Sequence, residues 1–136
     1  MYCLRAVIVT ESARRRVLDS LEGARLVPLG QNLSLMPVTE TRFDTGPLAE
    51  CSEQGAVAYV EAEYFGGAGT QFAQVWEGGE IVLGPLYVDE DEPDPADGSP
   101  ISQALRRLGT LRGDHFDEFD AVGLGRHRDT DDWLSA

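Results

Sequence analysis

The stretch Gly123-Leu124-Gly125-Arg126-His127-Arg128-Asp129-Thr130-Asp131-Asp132-Trp133 is the densest run of chemically capable side chains in the sequence. His127 is a candidate general base, with Asp129 or Asp131 to orient it. Arg126 and Arg128 are candidate oxyanion binders, because a guanidinium presents paired donors to a carboxylate or phosphate. The same residues also have a purely structural use: both arginines can pair with neighbouring acids, and Asp129 or Thr130 can cap a last turn ending at Trp133. No Ser or Cys is set in a glycine-bounded elbow, and no strong cofactor motif is present, so no cofactor is expected.

Two further clusters invite a chemical reading. Asp114, His115, Asp117, Glu118 and Asp120 crowd carboxylates around one histidine. A helix-loop-helix calcium site needs a central glycine and a bidentate glutamate at its twelfth position. Counted from Asp114, those places fall to Phe119 and Gly125, so no metal site is expected. Tyr64-Phe65-Gly66-Gly67-Ala68-Gly69-Thr70-Gln71 has the glycines of a phosphate loop but not its Lys-Ser/Thr or its helix start. A glycine-rich hairpin turn explains it better, with Gln71 and Gln74 beside it as candidate recognition residues.

Charge is distributed very unevenly. Residues 1–55 carry six Arg against seven acids, a net of −1, whereas residues 56–136 carry five Arg against seventeen acids, a net of −12. The excess lies in two patches, Asp89–Asp97 and Asp114–Asp132. Net charge bears on partners and solubility rather than on fold. A surface this acidic disfavours direct binding to nucleic acid and favours a basic protein. Lysine is absent and all eleven bases are Arg, which a genome rich in G and C accounts for.

These side chains need a scaffold, and 136 residues are enough for one domain that buries roughly two-thirds of its unfolded surface without disulfide or metal. Cys3 and Cys51 are too few for a disulfide framework, and Cys3, beside an apolar strand, reads as a buried free thiol. The start MYCLRAVIVT lacks a charged n-region and a long apolar run, so neither a signal peptide nor a membrane span is expected, and a cytoplasmic location follows.

The expected fold is α+β. Leu4–Thr10 is a β-branched strand, and Thr10 can cap a helix over 11–22 closed by Gly23. Arg14, Arg15 and Arg16 fan around that helix and read as a solvated face. Arg25–Leu29 and Leu33–Val38 flank the turn-prone Gly30-Gln31-Asn32 as a hairpin, and Pro47–Glu53 is a short helix. Residues 56–88 form a three-stranded antiparallel meander. Residues 89–99, rich in acids and prolines, read as a mobile acidic loop within the domain. Ser99 and Pro100 then start a helix over 100–108, with Gly109 as its stop, and the tail follows as short helical turns. The 11–22 and 100–108 helices are expected on one face of a single antiparallel or mixed sheet.

The pairing of Glu61–Phe65 and the glycine turn with Gln71 and Trp76, followed by Glu118-Phe119-Asp120 and Gly123–Trp133, resembles a group of small bacterial proteins of uncharacterised activity. The resemblance covers about the last 80 residues and implies a shared fold and a non-random C-terminal motif, with a toxin-immunity role as one setting.

Two functional classes follow. The first is a non-enzymatic acidic binding protein, in its particular form an immunity-type inhibitor of a basic protein such as a nuclease toxin. Its partner surface would be Asp117, Glu118, Asp120, Asp131, Asp132, Trp133 and Gln71, with Phe116 and Phe119 as aromatic anchors. The second is a small enzyme using His127 with Arg126, Arg128, Asp129 and the nearby acids.

Overall fold

In the structure, a computed structural model, residues 1–65, 68–93 and 95–135 are described. Gly66 and Gly67 of the glycine turn, Asp94 of the acidic loop and the last residue lie outside them. The fold is α+β. Among the described residues, six strands form one antiparallel sheet in the order β2-β3-β1-β4-β5-β6: β1 Tyr2–Val9, β2 Val27–Pro28, β3 Ser34–Pro37, β4 Val57–Phe65, β5 Ala68–Glu77 and β6 Glu80–Val88. The helices are α1 Arg14–Ser20, α2 Gly46–Cys51, α3 Pro100–Arg107 and α4 Glu118–Val122. No helix is long and apolar enough to cross a membrane among the described residues.

Period-2 alternation sends β1 side chains to both faces of the sheet. Leu4, Ala6 and Ile8 join Ala58, Val60, Ala62, Ala73 and Val75 under α3, α4 and the tail. Val7 and Val9 join Val57, Tyr59 and Trp76 under α1 and α2. The sheet is therefore covered on both faces, and the first helix and the 100–107 helix lie on opposite sides rather than on one. The reason is visible in β1 and β4, where consecutive residues such as Val7-Ile8-Val9 and Val57-Ala58 are all buried. A strand that is apolar on both faces needs a layer on each.

The first helix is also shorter than its sequence pattern. Residues Glu11–Ala13 form a 3-10 turn before α1. Thr10 does not cap it, because its hydroxyl donates instead to the Ala56 carbonyl, 2.8 Å away. Ser99 does cap α3, its Oγ accepting from the Ser102 N–H at 3.3 Å. In the first hairpin, Gln31 and Asn32 take positive φ angles of 58° and 63°. Such angles are the signature of a tight turn between strands.

β3 pairs only with the second half of β1, Ala6–Val9. The open edge before it is closed by the tail. The Cys3 N–H donates to the Arg128 carbonyl at 2.8 Å, and the Arg5 N–H donates to Thr130 Oγ1 at 3.0 Å. Thr130 in turn donates to the Cys3 carbonyl at 3.3 Å. One hydroxyl thus serves two backbone groups that would otherwise lack partners at an edge.

A candidate cation-binding cleft

The C-terminal motif is mainly a clasp on the domain. Trp133, expected at the edge of an exposed surface, is 0% exposed and belongs to the α3-face core. An indole buries more apolar area than almost any other side chain, and the tail, held by the Cys3–Arg128 and Arg5–Thr130 bonds, carries it inward. Arg126 lies over its ring, 5.1 Å from the centroid, and donates to the Pro28 carbonyl at 2.7 Å and to that of Gly123 at 3.2 Å. Its partners are carbonyls and a ring, not the carboxylates expected from composition. The His127 ring meets Trp133 edge-on at 4.6 Å, and among the described residues no carboxylate is hydrogen-bonded to it. Asp129 instead accepts from the Asp131 N–H at 3.2 Å, capping the last turn. Arg128 engages the fold through its backbone and has an exposed side chain. The structure therefore does not assemble His127, Arg126, Arg128 and Asp129 into a catalytic group, whereas Asp131 and Asp132 stay exposed on the clasp.

Two other expected contact residues are turned inward. Glu118 is 8% exposed, with its Oε2 3.7 Å from Arg106 Nε, so it ties α4 to α3. Gln71 is 7% exposed. Its Oε1 accepts from the Ile101 N–H at 2.9 Å, satisfying one orphan donor at the start of α3, and its Nε2 donates to the Tyr64 phenol oxygen. The Ile101 N–H can only donate, so it fixes which way the carboxamide points. Of the two cysteines, Cys51 is fully buried and Cys3 half-buried, and burial raises the pKa of both thiols.

What the fold does assemble lies at the end of the sheet where β1 begins, β4 ends, β5 begins and β6 runs out into the acidic loop. Tyr2 and Tyr64 face each other across β1 and β4, with ring centroids 6.5 Å apart, and Phe119 of α4 packs on Tyr2 at 5.4 Å. Tyr2 is anchored by donating to the Leu124 carbonyl at 2.8 Å, and its phenol is pushed well above the usual tyrosine range, chiefly by burial. Tyr64 lies against Gly69, where a Cβ would come within 2.5 Å of its ring. Only glycine allows that approach. Tyr2, Tyr64, Phe119 and Phe116 wall a cleft of about 490 Å³, with Gln71 at its base and Asp117 and Asp120 also lining it. Phe116 is 86% exposed. His115 Nδ1 lies 3.1 Å from Asp120 Oδ2, and Asp117 caps α4 by accepting from the Asp120 N–H at 2.9 Å.

A smaller cleft of about 180 Å³ shares Tyr64 and Gln71 with the first and is lined by Glu90 and Glu92. Two carboxylates from each acidic patch, far apart in sequence, therefore flank the same pair of residues. Among the described residues no three His, Cys, Asp or Glu side chains gather as a metal site. Tyr2 went unsuspected in the sequence, although its two-residue spacing from Leu4, Ala6 and Ile8 already assigns it to their face. The chain matches no family model, no curated protein and no solved structure.

Proposed function

We propose that this protein is a non-enzymatic binding module for a basic protein partner, with an immunity-type inhibitor of a nuclease-like toxin in a bacterial cytoplasm as its particular form. One observation carries the reading: Glu90 and Glu92 from one acidic patch, and Asp117 and Asp120 from the other, border adjoining clefts that share Tyr64 and Gln71. Charge gathered at one end of a molecule steers an oppositely charged partner and helps select it, whereas scattered charge serves solubility alone. Nucleases fit as partners because a surface that attracts phosphates is itself basic. Exposed aromatic area beside the carboxylates, led by Phe116, suits an interface anchor. Turnover at His127 has less support, since its ring is engaged with Trp133 and has no carboxylate partner among the described residues.

The test is affinity capture from the native host at low and high salt, followed by reconstitution with the purified partner. The reading requires a stoichiometric basic protein whose affinity falls with salt. Binding must weaken more when Glu90, Glu92, Asp117 and Asp120 are neutralised together than when Glu11, Asp19, Glu22 and Glu40 are. A partner that binds equally well at high salt and to both neutralised variants would overturn it.

A further inference from the structure

The aromatic cleft is more specific than its charge. We propose that the cleft walled by Tyr2, Tyr64, Phe116 and Phe119 receives an arginine side chain of the partner protein, with Asp117 and Asp120 engaging the guanidinium. This inference rests on the basic-partner reading above and names the group that such a partner inserts.

Three features of the cleft point to this occupant. Three of its four walls are rings held in place: Tyr2 by its bond to the Leu124 carbonyl, Tyr64 by Gln71 and the close approach of Gly69, and Phe119 by its contact with Tyr2. A rigid wall does not lose freedom again on binding. The ionisable groups that line it are Asp117, Asp120 and the two phenols, and no arginine of this chain lines it among the described residues. A cationic guest therefore meets complementary charge, and it competes for Asp120 with His115, whose Nδ1 lies 3.1 Å from Oδ2. Finally, Phe116 is 86% exposed at the rim and offers a ring face on which a flat cation can stack. A volume of about 490 Å³ lies in the range of sites that take small organic groups.

Arginine fits this geometry better than lysine. A guanidinium is planar, stacks on aromatic faces and offers paired donors to a carboxylate, whereas an ammonium is a compact, strongly hydrated point charge. An uncharged apolar side chain would satisfy the rings but gain nothing from Asp117 and Asp120, whose internal partners are the Asp120 N–H and His115.

The test titrates the full-length ¹⁵N-labelled protein with three short peptides of equal length at low salt, containing arginine, lysine or leucine at the same positions. The arginine peptide should bind most tightly and should shift the Tyr64, Phe116, Phe119 and Asp120 amides and the Gln71 side-chain amide. Phe116→Ala, at a position too exposed to matter for folding, should weaken the arginine peptide on the order of ten-fold and change the lysine peptide little. Asp120→Asn should weaken both. Equal affinity for arginine and lysine, with shifts spread along the acidic segments and none at the cleft, overturns the arginine site and leaves the basic-partner reading standing. Tightest binding by the leucine peptide overturns the arginine site in favour of an apolar guest. Binding by none of the three overturns the arginine site, while the basic-partner reading is decided by the capture and reconstitution above.

Discussion

The carboxamide of Gln71 is bonded at both ends, its Nε2 donating to the phenol oxygen of Tyr64 and its Oε1 accepting from the Ile101 N–H. One β5 side chain thus locates the first turn of α3 and a wall of the aromatic cleft at once. Replacing it with leucine keeps the volume and leaves the Ile101 donor buried without a partner, which should cost about 1–3 kcal/mol. Urea unfolding measures the loss. The ring signals of Tyr64 should shift in the same variant, and an unchanged Tyr64 would mean that its other contacts, Gly69 and the Tyr2 ring among them, suffice to position it.

Trp133 and Trp76 belong to different cores on opposite faces of the sheet. Both are almost completely buried, so Trp133→Ala and Trp76→Ala should each destabilise the fold by about 3–5 kcal/mol. The two sites share no core cluster, and their effects should add in the double variant within about 0.5 kcal/mol. Thermal melts decide this, and a cost for Trp133→Ala of well under 2 kcal/mol would mean that the tail detaches without disturbing the core.

Arg126 and His127 both cover Trp133, but only Arg126 also bonds the Pro28 and Gly123 carbonyls. Arg126→Ala should therefore lower the melting temperature more than His127→Ala. The reverse order would show that the edge-on imidazole contact holds the clasp.

The side chains of residues 89–93 are exposed, and the hydrogen bonds of Asp89 and Glu92 stay within the loop. Replacing 89–97 with a Gly/Ser linker should shift the melting temperature by less than about 3 °C while weakening a basic partner. A larger drop would mean that the loop supports the fold through Tyr64 or the start of α3.

High pH should unfold the protein through its phenols. Tyr2 is harder to ionise folded than unfolded, chiefly because it is buried, and Tyr59 is pushed up to about 12 by burial and its bond to Glu61. Unfolded phenols lose their protons near pH ~10. The unfolded chain therefore binds fewer protons above that value, and stability held below it falls as pH rises, through about 12 for Tyr59. The thiols of half-buried Cys3 and buried Cys51 act in the same direction from a lower starting pH. Urea midpoints followed into the alkaline range should decline, and Tyr2→Phe should decline less steeply than the parent. Parallel profiles would remove Tyr2 from the cause.

Much of the architecture is written locally. The β-branched run of β1, the Gly30-Gln31-Asn32 turn, the meander and the Ser99-Pro100 start of α3 depend on backbone preferences within a few residues, and each forms close to where its sequence signals it. The crowding of carboxylates into two segments is likewise a property of the chain itself. Which side of the sheet each helix covers, whether Trp133 faces water or core, and whether Gln71 meets a partner or Ile101 were decided only when distant segments packed. An indole flanked by Asp131, Asp132 and arginines looks like a surface anchor until β1 offers it an unpaired edge and an apolar floor. Convergence of the acidic segments on Tyr64 is decided in the same way. The pairing that brings the end of β6 beside the start of β5, and the packing of Phe119 on Tyr2, bring residues 88 and 119 to one end of the sheet. Long-range pairing of this kind is set by the burial of whole faces, which no short window of sequence contains.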